Sequence, residues 1–572
     1  MDLALIDGIG PFLRGCVGSR INWSKIPFAQ LPVSGEEGSE ARWGQIEADA
    51  GRLLEGVTRM GYNAISFDDV AHLVDHPDFE PEIRARSSFF AEKFRGIFRQ
   101  ALSHGLRVYV TTDYFTATPA VEARLRGKSG ACERWFAGMV DRFLGDFPEV
   151  SGVILRVGES DGRDVRDPVR SRLALHSAAG ANRLLKTLLP VFERRGRTLI
   201  FRTWTVGASL LGDMIWHPGR LARTVRGIDS PAFILSMKYG ESDFFRFLPL
   251  NPQVLRIRLP KLIEFQARRE YEGAGEYPSF VGWDCEEIRR ELAGAQNVVG
   301  LSVWCQTGGW HRFRRLAFLE PGALWIELNA AAILGIVRDE RSVESVVEGF
   351  FGAERAPAAL ELLSRAERVV REILYIPEFA ERRLYFRRVR IPPLVHVYWD
   401  CLFFHAPVRE ILRGLVRDPE RAIRVGEEAF AHFGRMEELA AGTGLPVGDI
   451  RFMRDTFELI LLARRYYFTP FTGEMAEQVR EAKRVYKARW PREVRPRYRI
   501  KVSFDPMPLQ KRTLRWLLGV LLRGESGYRT VLDRVLTLNV LSWVYRMFRS
   551  RYEEALPKFL RQSAMGVDSI LR

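Results

Sequence analysis

The chain has 572 residues, with 86 Lys and Arg against 71 Asp and Glu, giving a formal charge of +15. A hydrophobic content of 47% excludes an intrinsically disordered chain, and the length predicts two or three domains. The basic surplus is spread along the chain and not gathered in a stripe or tail, so nucleic acid is not the expected partner, while an anionic ligand is compatible with it.

Up to about residue 336, short apolar runs alternate with amphipathic stretches. Strands are predicted at residues 12–17, 64–67, 107–112, 152–157, 198–204, 232–238, 262–265 and 299–305. Helices are predicted at 42–60, 88–104, 132–144, 169–194, 284–293 and 322–336. Eight strands with their connections predict an α/β fold, a (β/α)8 TIM barrel over residues 1–336. A doubly wound open sheet is the alternative, but it would carry a GxGxxG or GxxxxGK loop, and neither occurs.

From residue 337 onward strands become scarce. Helices are predicted at 342–350, 356–376, 408–415, 420–441, 447–467 and 473–487. They form a helical domain over residues 337–488, packed on the barrel and offering a homodimer surface. An Arg- and Pro-rich break with a strand-like run at 498–504 opens a last segment, 489–572, which closes as helix.

The stretch VSGVILRVGESDG, residues 150–162, reads as a strand buried on both faces that runs into Gly158 and then Glu159. In a parallel barrel the carboxyl ends of the strands face the active site. The other predicted strands bring Asp68 and Asp69, Asp113, Arg156, Arg202 and Trp204, Lys238 and Asp243, Glu270 and Trp310 to the same rim. Carboxylates do acid and base work, cations hold anionic groups, and aromatic rings stack on a sugar face. This clustering points to a carbohydrate site. Taken singly, each residue is as well read as a cap, a loop pair or rim packing.

Five cysteines, Cys16, Cys132, Cys285, Cys305 and Cys401, lie far apart without CxxC spacing, so neither a disulfide framework nor a zinc site is expected. No cofactor or metal is implied by the predicted chemistry. The opening MDLALIDGIGPF has no signal-peptide pattern and no run reaches membrane-spanning length. A cytoplasmic protein without membrane contact is expected.

Several ordered stretches resemble the α-glucuronidases of glycoside hydrolase family 67. RGCVGSRINW is similar to that family's first-strand segment, and residues 42–70, ending GYNAISFDDV, to its second βα unit, with Asp68 and Asp69 where the family usually has two Asn. FPEVSGVILRVGESDG resembles the segment carrying the general acid, which puts Glu159 in that role. FRTW places Arg202 where the family holds the uronate carboxylate. MKYGESDFF places Lys238 at a carboxylate-binding position and Asp243 at a catalytic base, and IEFQARREYEG places Glu270 at a second base candidate.

The family's N-terminal β-domain has no counterpart here. Arg156 stands one residue out of register with a family Lys, and WCQTGGWHRF replaces an Asn-Trp motif. The resemblance implies removal of a terminal uronic acid from an oligosaccharide with inversion. Two alternatives stay open. One is a retaining, substrate-assisted glycosidase of the same barrel type acting on another sugar. The other is a non-catalytic barrel that binds an acidic glycan.

Overall fold

The computed structural model describes residues 1–16, 25–128, 130–158, 167–171, 174–175, 177–205, 214–215, 219–306, 315–386, 389–398, 401–505, 522–523 and 547. Eight strands close a parallel barrel: β1 (Leu3–Asp7), β2 (Ala64–Asp68), β3 (Arg107–Asp113), β4 (Val150–Arg156), β5 (Thr198–Arg202), β6 (Phe233–Lys238), β7 (Lys261–Gln266) and β8 (Val298–Trp304). Each pairs with its neighbours in sequence, and β8 returns to pair with β1. The helices that follow the strands bury their apolar stripes against the outside of this cylinder, as Trp43, Ile46, Leu53 and Val57 of helix Ser39–Met60 do.

One element lies elsewhere than the sequence suggested. The first strand is Leu3–Asp7, not residues 12–17. Pro11 opens a short helix, Gly10–Leu13, where its missing N–H costs nothing; in a central strand it would have removed a ladder bond. The resemblance of RGCVGSRINW to a first strand is therefore misplaced, and residues 17–24 lie outside the described residues. The other seven strands fall within two residues of prediction at each end. The helix expected at 169–194 is Ala178–Arg195, because Arg170–Ser171 pairs instead with Thr116–Ala117. Ser177 caps this helix by accepting from the Gly180 N–H at 3.0 Å.

The barrel interior is layered by the two-residue alternation of its strands. Leu3, Leu5, Ala64, Tyr109, Ile154, Ile200 and Leu262 form a separate apolar cluster at the amino-terminal end. Two residues further along each strand the same face carries polar groups, and at the carboxyl ends it carries charges. Residues one step out of phase, such as Ile6, Phe67, Val110 and Val303, join the large core between strands and helices.

The C-terminal region is mostly helical, as expected. The helix predicted at 420–441 is two helices, Pro419–Phe430 and His432–Thr443. Val397–Tyr398, Cys401–His405 and Arg499–Ser503 add a small sheet in which the last two run parallel. Buried Arg464 organises this region. Its guanidinium donates to the carbonyls of Glu372, Ala422, Ile373 and Tyr375 at 2.6–2.8 Å, satisfying acceptors at the end of the turn Val370–Leu374.

The region docks on the carboxyl-terminal side of the barrel. Arg246 after β6 binds Glu272 and Glu367, and Tyr375 donates to Glu272 at 2.7 Å. Arg315 after β8 forks onto Asp449 at 2.8 and 2.9 Å. Glu241, beyond β6, receives Arg383, the Tyr385 hydroxyl at 2.8 Å and Arg390 at 2.8 Å. Among the described residues no helix is long and apolar enough to cross a membrane.

Candidate active site

The last inward-facing residues of the eight strands are Asp7, Asp68, Asp113, Arg156, Arg202, Lys238, Gln266 and Trp304, all buried. Strand alternation aims them at the barrel axis: Ala64, Ser66 and Asp68 share one face of β2, as Tyr109, Thr111 and Asp113 do on β3. Glu264, one step below on β7, is also buried and inward. The strand ends thus deliver both signs of charge to one cavity mouth, and burial makes each unpaired charge costly.

The charges are sorted into three groups. In the first, Asp113 accepts from Arg156 Nε at 2.6 Å and Ser171 Oγ at 2.9 Å, with Lys25 Nζ at 2.7 Å. Asp113 and Arg156 also face each other in the β3–β4 register.

In the second, Arg202 and Glu264 form a two-pronged pair. Ser236 adds a bond of 2.6 Å to the same carboxylate, and Trp304 Nε1 one of 3.3 Å. The Arg202 guanidinium lies 4.7 Å from the Trp304 ring centroid. Burial would raise the Glu264 carboxyl, but Arg202 beside it outweighs burial and holds it down at about 2.

In the third, the Lys238 ammonium binds Asp243 Oδ1 while Tyr271 donates to Oδ2 at 2.7 Å. That ammonium stands 3.5 Å from the Trp204 centroid and 4.3 Å from that of Phe244. Glu270, next to Tyr271 in the chain, accepts from Gln266 Nε2 at 3.0 Å. Asp243 and Glu270 thus come from consecutive loops linked by the Tyr271–Asp243 bond.

Asp69 is different from Asp68. It is out of phase with the inward face and is bound by Thr112 Oγ1 at 2.6 Å and His72 Nδ1 at 3.2 Å. His72 Nε2 faces Asp167 at 3.6 Å, and Phe28 stacks on the imidazole with centroids 4.1 Å apart. Burial alone would lower His72, but Asp167 and Asp69 outweigh it and raise it to about 9. Burial would raise Asp69, yet the His72 hydrogen bond and the Lys25 charge bring it down to about 2.

Glu159 and Trp310 lie outside the described residues. The residue before Glu159 is described: a Cβ on Gly158 would run into the Trp204 carbonyl and the Thr205 Cα, so only glycine lets the end of β4 pass this close to the end of β5.

Arg202 and Lys238, expected to pair with a substrate carboxylate, hold the protein carboxylates Glu264 and Asp243, and Arg156, expected at the substrate, holds Asp113. Asp69, also expected at the substrate, is held by Thr112 and His72. The Trp204 ring, a substrate-binding candidate in the sequence, carries the Lys238 ammonium.

Sequence reasoning missed Asp7, Lys25, Ser171 and Glu264. Glu264 had a signal, since LIEFQ places it in phase with Leu262 on a buried strand. Lys25 and Ser171 are brought in by loops and have none. Asp7, at the end of the unrecognised first strand, accepts from the N–H groups of Cys305 and Gln306. Among the described residues no group of three or more His, Cys, Asp or Glu could hold a metal ion.

The fold and this mouth define a (β/α)8 barrel with a charged, buried strand-end tier. No protein-family model matches the chain, and no curated protein matches it. Solved structures similar to it include CpGH84B, at 9% identity and TM-score 0.42 over 85% of this chain and 74% of that one. Another is a mutant of the Thermobaculum terrenum O-GlcNAc hydrolase, at 11% identity and TM-score 0.38 over 79% of this chain and 88% of that one. The β-mannanase of the blue mussel Mytilus edulis follows at 10% identity and TM-score 0.34, over 60% of this chain and 94% of that one.

Proposed function

We propose that this protein is a glycoside hydrolase, similar to α-glucuronidases, that removes a terminal uronic acid from an oligosaccharide by general acid and base catalysis with inversion. The observation that carries the reading is the strand-end tier: carboxylates and cations from seven strands converge on one axis, and the eighth adds Trp304. Burying so many charges in one place costs stability, and such clusters are characteristic of functional sites.

In this reaction Glu159 donates its proton to the glycosidic oxygen as the bond from that oxygen to the anomeric carbon breaks. A water attacks the same carbon from the opposite face and gives its proton to Asp243 or Glu270. Inversion needs donor and acceptor about 6.5–9.5 Å apart, room for that water. Asp243 suits the base because both its oxygens are fixed, by Lys238 and by Tyr271. An ammonium has three donors and a guanidinium five. A substrate carboxylate would therefore share Lys238 and Arg202 with Asp243 and Glu264.

Aryl glycosides and acidic oligosaccharides, assayed with NMR of the first-formed product anomer, test the proposal. Release of an inverted uronic acid is expected. Retention would favour the substrate-assisted alternative, and no hydrolysis of any glycoside would leave a binding barrel.

A further inference from the structure

The inward carboxylates of the mouth are not equally compensated. Asp113 takes Lys25, Arg156 and Ser171; Glu264 takes Arg202, Ser236 and Trp304; Asp7 takes two peptide N–H groups. Asp68, 3% exposed and aimed at the axis, accepts one hydrogen bond among the described residues, from the Ile26 N–H to Oδ2 at 3.0 Å.

Among the described residues, the charges that act on it are Arg156 from β4, Asp69 next to it in the chain, and Lys25 from the segment ahead of Ile26. The two cations bond to Asp113, and Asp69 adds a like charge beside it. A carboxylate so placed lacks the bonds that offset desolvation, whereas a carboxylic acid needs fewer and can donate one.

We propose that Asp68 is a neutral carboxylic acid at working pH and donates its O–H to the anionic carboxylate of a sugar acid bound in the mouth. This rests on the sugar-acid reading above. Burial first, then the nearby Asp69 charge against Arg156 and Lys25, pushes the Asp68 carboxyl up to about 7. A donor of this kind works below that pH and is lost above it. It would also relieve Arg202 and Lys238, which are shared with protein carboxylates, of sole responsibility for substrate charge.

The test is calorimetric binding of D-glucuronate to the full chain at about pH 5.5 and about pH 8.5, for wild type and Asp68→Asn. The protonated fraction of Asp68 predicts that wild-type affinity falls about 30-fold across this interval. Asp68→Asn, which keeps a donor at every pH, should lose much less. A wild-type affinity that does not change overturns the proposal whatever the variant does. So does a variant that falls as steeply as wild type.

The thermal midpoint gives a ligand-free reading. Because Asp68 holds its proton to higher pH when folded than when unfolded, wild type should lose stability from about pH 4 to about pH 7 relative to Asp68→Asn. Parallel curves overturn the protonated state. Absence of glucuronate binding in both proteins overturns the donor role. Hydrolysis of a neutral aryl glycoside in that case would leave the hydrolase standing and remove only its acidic substrate.

Discussion

Arg202 grips Glu264 with both prongs of its guanidinium, Nε to Oε1 at 2.9 Å and Nη2 to Oε2 at 2.7 Å, across the strand that separates them. Both side chains are buried. Glu264→Gln leaves the Arg202 charge buried without its partner and should cost about 3–5 kcal/mol in urea unfolding. Arg202→Met in the same background should recover part of that loss, because the pair is coupled. A double variant as unstable as the sum of the two singles would show that the pair does not act as a unit.

Glu159→Gln should lower kcat by about 100-fold to 10,000-fold with KM little changed, since an amide keeps shape and hydrogen bonding but has no proton to give. Single-turnover rates on an activated aryl glycoside provide a control. A good leaving group needs less protonation and should suffer a smaller loss. Near wild-type turnover on a natural oligosaccharide removes Glu159 from the mechanism.

Asp243→Asn should abolish water activation, whereas Tyr271→Phe should reduce kcat more modestly by removing one of the three bonds that orient the carboxylate, the others coming from Lys238 and the Phe244 N–H. If Asp243→Asn is active and Glu270→Gln is not, the base is Glu270. Comparing kcat for the three variants on one substrate decides between them.

His72 makes a pH prediction of definite sign. Its folded value, raised to about 9 from the ordinary 6.5, means that its contribution is complete below about pH 6.5 and is lost as pH rises through about 9. The difference in unfolding free energy between wild type and His72→Gln should shrink over that window, by up to about 3 kcal/mol. A difference that is flat with pH would mean His72 is neutral between Asp69 and Asp167.

Arg464→Met should destabilise the helical region by several kcal/mol, because four carbonyls lose their donor inside the protein. Arg464→Lys should be nearly as damaging, since a single ammonium cannot span the same four oxygens. Limited proteolysis with mass mapping would show first cleavage after residue 337 if the barrel survives.

Much of the barrel was legible in the chain. Runs such as LIFR and VILR are too apolar and too short to be anything but strands buried on both faces, and seven of eight fell within two residues of place. The first was missed because Leu3, Leu5 and Asp7 alternate in a segment that looks like an ordinary amino terminus, while the apolar run after Pro11 looked more strand-like. Alternation places Asp68 and Asp113 in phase with the inward residues two positions before them, whereas the sequence reading sent Asp68 and Asp69 alike to the rim.

Composition and periodicity by themselves determined a closed parallel barrel, a helical C-terminal half and a rim of charged residues at the strand ends, because burial on both faces and a two-residue repeat are written locally. Which carboxylate meets which cation was decided only by the closed cylinder. It sets β5 against β7 across β6, brings Lys25 to Asp113 from a distant loop, and leaves Asp68 with a single peptide N–H among the described residues. A charge's partner depends on distance through space and on exclusion of water, and neither is encoded in spacing along the chain.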